Sequence, residues 1–184
     1  MSQSIKKDTL LEVAESLFYE HGFRGVGLKQ IISEANVATM TLYNHFLSED
    51  KLVEEVLRRR EERYWSYLDA HVEKDSDSPF ILAVKAHGCW LEEQSCKGDM
   101  FLRAMEDYAG TDNEIETIAR GYKMRLLKYL QQLAQRKGKD NERDLANQLT
   151  LLLEGTTSLT TLIGAEKATE YSIAMAKTLV QNTS

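Results

Sequence analysis

Apolar residues recur along almost the whole chain at spacings of three and four, the period of a helix with one buried stripe. Between Lys6 and His21 the stripe is Leu10, Val13, Ala14, Leu17 and Phe18. Gly22 follows, and glycine readily takes the left-handed conformation that ends a helix. A short second stripe, Leu28, Ile31, Ile32 and Ala35, stops at Asn36, the next best residue for a positive φ. A third runs from about Ala38 to Asn44, with Leu42 and Phe46 as its apolar anchors. Ser48 has the position of an N-cap, with Glu49 and Asp50 where the helix dipole favours acids. The helix it opens is long, carrying Leu52, Val56, Tyr64, Trp65 and Leu68 to about Val72.

The second part of the chain continues the pattern. "KDSDSP" (Lys74 to Pro79) is the clear polar connector, with Ser78 as cap and Pro79 at the first helical position. The next helix runs to about Cys96, where "CKGD" breaks it. Asp99 caps a short helix from Met100 to Tyr108, and Gly110 ends it. Thr111 and Glu114 have capping-box spacing and open a helix to about Arg136. After Gly138, Asp140 or Asn141 starts a helix with Leu145, Leu149, Leu152, Leu153, Leu159, Leu162 and Ile163, closed by Gly164. A last helix spans roughly Lys167 to Val180. No period-two alternation or repeat interrupts the series. The pattern predicts an all-α protein of about nine helices in two unequal parts.

Composition agrees with helices: one proline in 184 residues, 42% hydrophobic and 28% charged residues. The formal net charge of −6 argues against coating nucleic acid by charge alone, though a specific DNA reader needs only local charge on one face. Two cysteines, Cys89 and Cys96, make no disulfide framework, which points to a reducing cytoplasm. Asp8, Glu12 and Glu15 interrupt any signal-peptide core, and no apolar run approaches the length of a membrane span.

Three short helices before a long one, the second and third joined by "ANVA", have helix-turn-helix spacing. In such a unit the second helix of the pair enters the major groove and its first residues face the bases. Here those residues are Thr39, Met40, Thr41, Tyr43 and Asn44, able to bond bases or phosphates or to touch a thymine methyl. A core helix rarely spends so many positions this way.

The run "LFYEHGFRGVGLKQIISEANVATMTLYNHFLSEDKLV" resembles the N-terminal signature of the TetR-type regulators. The matching residues are Leu17–Phe18, Gly22–Phe23, Ile31, Ile32, Val37, Thr41–Leu42–Tyr43, His45–Phe46 and Ser48. "GDMFLRAMEDYAG" and "LLLEGTTSLTTLIGAEKA" resemble the family more loosely. The resemblance implies a helix-turn-helix DNA-binding domain over residues 1–47, joined by the long fourth helix to a ligand-binding and dimerisation domain over 48–184. It implies a cytoplasmic homodimer on a palindromic double-stranded operator, a repressor released by a small-molecule effector, with no cofactor. Tyr43 and His45 would lie on phosphates, with Lys6, Lys29 and Lys51 as further candidates, while Thr39, Met40, Thr41 and Asn44 would face bases. The alternative for Tyr43 is packing under the motif, and for His45 a solvated surface.

This sequence departs from the family at four points. Asn36 replaces the usual glycine, Ala38 the usual serine, Gly27 the usual threonine and Glu49 the usual lysine, for which Lys51 stands in. Without a side-chain cap at Ala38 the recognition helix forgoes about 1 kcal/mol. Through Ser48 the bases Lys6, Lys7, Arg24 and Lys29 are outnumbered by Asp8, Glu12, Glu15, Glu20 and Glu34. Modest non-specific DNA affinity follows.

Trp65, Trp90, Phe101, Met105, Tyr108, Tyr122 and Leu126 are concentrated in the middle helices, where an apolar pocket with a few polar groups would take an effector. Each residue of this kind is individually more often ordinary core. Glu154, Thr156 and Thr157 are unusual in an apolar helix; they line the pocket or face a dimer partner. The apolar stripe of the last two helices is a dimer interface, as the resemblance implies, or intramolecular core.

His87, Cys89 and Cys96 give no metal spacing. The cysteines lie two turns apart on one face, about 10 Å along the axis, too far for a disulfide within a helix. The reading is of core cysteines and a partly exposed histidine. Nor is there a phosphate loop, nucleophile elbow or paired carboxylate site, so an enzyme is disfavoured. The remaining rival is a ligand- or protein-binding adaptor of the same fold that has lost DNA binding.

Overall fold

Residues able to take unusual backbone angles mark where the helices stop. Asn36 has φ 50° at the turn of the helix-turn-helix, and Gly164, φ 86°, separates the last two helices by a single residue. The structure, a computed structural model, describes residues 3–94, 97–139 and 141–182. Among these it shows nine helices and no strand. They are α1 (Gln3–His21), α2 (Leu28–Glu34), α3 (Thr39–His45), α4 (Glu49–His71), α5 (Pro79–Gln94), α6 (Met100–Asp107), α7 (Glu114–Arg136), α8 (Glu142–Ile163) and α9 (Ala165–Gln181). Cys96 and Asp140, read as a helix end and a possible cap, lie outside the described residues. No helix among those described is long and apolar enough to cross a membrane.

The chain forms two compact units. The first runs through Glu61 and resumes over Met100–Gly121; the second is Glu62–Asp99 and Tyr122 onward. In the first, Leu10, Phe18, Ile31, Leu42, Leu52 and Val56 are buried completely, the stripes that the spacing predicts. Burial of each such side chain is worth about 1.5–3 kcal/mol. A buried ion pair, Arg60 to Glu15 at 2.7 Å, ties α4 to α1. The Arg60 guanidinium also covers the Tyr19 ring, and Arg103 of α6 donates to the Tyr19 carbonyl at 2.8 Å. Phe23 packs between Phe18, tilted, and Tyr108, edge-on, and Arg24 lies 4.5 Å from the Tyr108 ring centre.

In the second unit α9 packs on both α8 and α5. Gly88 permits the close approach of α5 and α9, because a Cβ there would lie 2.1 Å from the Thr169 hydroxyl.

Two local readings need correction. The cap of α7 is not Thr111, whose hydroxyl turns back to the Tyr108 carbonyl at 2.7 Å. Asn113 caps instead, its Oδ1 accepting the Ile115 N–H at 3.1 Å, so the helix starts at Glu114. The exposure of His87 and Cys89 is the reverse of the reading: His87 is buried and Cys89 exposed. On α5, His87 shares its face with buried Ala83, Val84, Trp90 and Leu91, three or four residues away, whereas Cys89 stands four from exposed Lys85.

Candidate nucleic-acid interface

Helix α3 is held in the first unit by its apolar anchors. Leu42 and Phe46 are buried, and α3 packs against α1 and α2. Helical geometry then sends the intervening residues outward. Thr39, Met40, Tyr43 and Asn44 are exposed, Met40 by 69% and Tyr43 by 50%, while Thr41 is half-buried. Among the described residues, nothing hydrogen-bonds the side chains of Thr39, Thr41 or Asn44. His45 is half-buried with its ring tilted against Phe46, 6.2 Å between centres. Neither Ala38 before α3 nor Gly27 before α2 supplies a side-chain cap. Leu47, just past α3, is 89% exposed.

The surrounding cations fall into two groups. Lys29 is exposed at the start of α2 and Lys6 half-buried on α1. The others are engaged. Lys51 Nζ meets both carboxylate oxygens of Glu54 at 2.8 Å, with its N–H on the Ser48 cap at 3.2 Å. Lys7 bonds Glu55 at 2.6 Å, and Arg24 donates to the Asp107 carbonyl at 2.6 Å.

The second unit gathers its polar groups inside. Tyr64, His87 and Thr157 form a line: Tyr64 Oη to His87 Nδ1 at 2.9 Å, His87 Nε2 to Thr157 Oγ1 at 3.0 Å. The Thr157 hydroxyl donates its proton to the Leu153 carbonyl at 3.0 Å. It therefore accepts from His87 Nε2–H, which leaves Nδ1 as acceptor for the Tyr64 hydroxyl. Burial holds the imidazole neutral, lowering its pKa to about 4, with the Lys123 charge adding to the effect. Burial likewise pushes the Tyr64 hydroxyl up. Beside this line Lys123 of α7 bonds Asp99 and both oxygens of Glu154, at 2.8 and 2.6 Å for the latter. Its charge is kept by these two carboxylates against the opposing cost of burial.

The candidate effector residues divide between the units. Trp65, Trp90 and Tyr122 surround Tyr64, with ring centres 5.4–5.5 Å from it. Leu126 is buried on the same α7, and Thr157 holds His87. Phe101 and Met105 lie on α6 and Tyr108 just past its end, all in the first unit, where Tyr108 packs on Phe23. Tyr64, His87, Lys123 and Asp99 were missed as members of this cluster; the signal for His87 was its place on the apolar face of α5. Glu154 and Thr156 turn to Lys123 and to Ser172 respectively.

An open groove of about 480 Å³ runs along α8 and α9, lined by Leu151, Leu159, Leu162, Tyr171, Met175 and Leu179 among others. Leu151 and Leu162 are at least three-quarters and Tyr171 and Met175 more than half exposed there. Thr156 lines it, whereas Trp65, Trp90, Phe101, Met105, Tyr108, Tyr122, Leu126 and Thr157 do not. No group of three metal-binding side chains occurs among the described residues.

Residues 10–56 match the family model of bacterial regulatory proteins, tetR family. Over 53 residues the chain is 36% identical to the HTH-type transcriptional repressor KstR2 of Mycolicibacterium smegmatis, a match covering 29% of this chain and 26% of that one. The chain thus spans about a quarter of the length of the sequence relatives it matches. The fold extends further. The TetR-family transcriptional regulator SCO4454 of Streptomyces coelicolor superposes with a TM-score of 0.89 at 20% identity, covering 98% of this chain and 96% of the other. AibR, solved with isovaleryl coenzyme A and operator DNA, superposes with a TM-score of 0.72 at 12% identity over 92% and 97% of the two chains.

Proposed function

We propose, from an N-terminal segment that is of the tetR family of bacterial regulatory proteins and a fold shared with its solved members, that this chain is a ligand-responsive transcriptional repressor. It acts in the cytoplasm as a homodimer. Residues 1–47 read DNA, and residues 48–184 bind effector and dimerise; the first segment is braced within the larger first unit. The observation that carries the reading is the outer face of α3. A helix anchored by Leu42 and Phe46 presents Thr39, Met40, Tyr43 and Asn44 to solvent, with the side-chain hydrogen-bonding capacity of Thr39, Thr41 and Asn44 unused. Tyr43, His45, Lys6 and Lys29 take phosphates, and Lys51 joins them only by leaving Glu54.

The apolar groove along α8 and α9 is the surface for the second copy. Leu151, Leu162, Tyr171 and Met175 stand exposed on adjacent helices, the self-complementary face that a four-helix dimer buries. Two recognition helices then present themselves about 34–36 Å apart, one turn of a palindromic operator. A small-molecule effector binds among Trp65, Trp90, Tyr122, Leu126 and Thr157 of the second unit, or against Phe101, Met105 and Tyr108 of the first. It releases DNA by its differential affinity for the two states of the dimer. The protein is a regulator and not an enzyme.

A second reading, an adaptor without DNA binding, draws on the engaged cations Lys7, Arg24 and Lys51 and the acidic balance of the first helices. Fluorescence anisotropy on DNA from upstream of the chain's own gene, against a scrambled duplex, separates the two. The repressor binds its own duplex at least about a thousandfold more tightly, and Tyr43→Ala abolishes this with the dimer intact. A folded dimer that binds no DNA at low salt is the adaptor.

A further inference from the structure

Resting on the reading of α3 as the DNA-reading helix, we infer that the operator half-site it contacts is built of A·T pairs, with Asn44 on an adenine and Met40 on thymine methyls. The major groove presents four distinct patterns. Guanine shows two acceptors and calls for the paired donors of arginine or lysine. Cytosine shows an amine and calls for a carboxylate. Adenine shows an acceptor beside a donor, the pattern that one side-chain amide matches with two bonds. Thymine shows a methyl, which calls for apolar contact.

The outer face of α3 has the last two partners and lacks the first two. Its sequence, "TMTLYNH", has no arginine, lysine, aspartate or glutamate. The Asn44 amide is exposed, with no intramolecular partner among the described residues, so both halves of its bonding capacity are available. Met40 lies one turn before it on the same face, 69% exposed, and Leu47 follows the helix at 89%. Thr39 and Thr41 add methyls beside their hydroxyls. The neighbouring cations do not fill the gap: Arg24 is held by the Asp107 carbonyl, Lys7 by Glu55 and Lys51 by Glu54. Lys29, exposed at the start of α2, and Lys6 on α1 are left for phosphates. The face is complementary to a run of methyls and adenine edges.

The test is selection of duplexes from a fully randomised pool by the full-length protein, followed by affinities on the selected sequence. Two symmetric half-sites are expected, each with at least two adjacent A·T positions at its most strongly specified core. Replacing a contacted thymine by deoxyuridine, which deletes only the methyl, weakens binding about fourfold. Met40→Ala removes that sensitivity. Asn44→Ala lowers the preference for adenine over guanine at one position by about tenfold or more. Both side chains are exposed, and circular dichroism verifies that the variants fold. Specified G·C pairs at the core, or indifference of the wild type to deoxyuridine, overturns the inference while leaving DNA binding intact. Failure of the folded protein to enrich any sequence overturns the DNA-reading assignment itself.

Discussion

The polar side chains of α3 and those inside the second unit are used in opposite ways. On α3, Thr39, Thr41 and Asn44 point outward with no intramolecular bonds, and the helix lacks a side-chain cap at its start. In the second unit, Tyr64, His87 and Thr157 satisfy one another in series, and Lys123 divides its charge between Asp99 and Glu154. Burial explains the difference. A buried polar group left without a partner costs about 1–3 kcal/mol, which favours the closed series of Tyr64, His87 and Thr157, although the buried Tyr129 hydroxyl of the same unit has no partner among the described residues. An exposed group bonds water at no such cost and can exchange that water for a base. Open valence at a surface is where an external partner is read; closed valence in a core is where a perturbation is felt.

The largest expected effect comes from opening the closed network. Lys123→Met leaves Asp99 and Glu154 facing each other without their common cation. A loss of about 3 kcal/mol in urea unfolding is expected, the lower end for breaking a buried ion pair because Glu154 is partly exposed. If unfolding is unchanged, the three charges do not form a unit.

Next is the pH dependence of His87. Its folded pKa, about 4, lies below the ordinary value of 6.5, so the unfolded chain binds its proton first as pH falls. The neutral imidazole therefore contributes full stability above pH 6.5, and this contribution is lost as pH drops from there through 4. The span is worth about 3 kcal/mol. His87→Gln should flatten the stability profile across that window relative to wild type; parallel profiles would remove His87 as its cause.

Effects on the open face should be smaller and confined to DNA. Asn44→Ala should cost roughly 1–3 kcal/mol of specific binding with unchanged thermal unfolding, checked by anisotropy alongside calorimetry. The smallest effect should be a gain. Ala38→Ser restores a hydroxyl at the N-cap of α3 and should stabilise the protein by about 1 kcal/mol. A change of either sign in unfolding without altered capping, read by hydrogen exchange of the α3 N–H groups, would point elsewhere.

The α3 face was legible because periodicity alone separates its anchors from its outward residues. Leu42 and Phe46 are four apart, and Tyr43 and Asn44 between them point away. Asn36 and Gly164 were legible for a similar reason: few residues accept a positive φ. The interior of the second unit was not legible in the same way. Tyr64, His87, Lys123 and Glu154 come from four helices, and no spacing along one helix reports which faces meet. The register of His87 with Val84 and Leu91 places it on the buried face despite its polarity, and Thr111 and Asn113 can both cap, so residue type does not distinguish them. Aromatic and apolar side chains occur on α6, in the first unit, as on α5 and α7, so their character does not tell which of them share a site.

Sedimentation velocity of the protein with its selected duplex tests the central claim most directly. The account predicts two chains moving with one duplex, and Tyr43→Ala running as a dimer apart from free DNA. A folded wild-type dimer that sediments separately from every duplex, even at low salt, would contradict it.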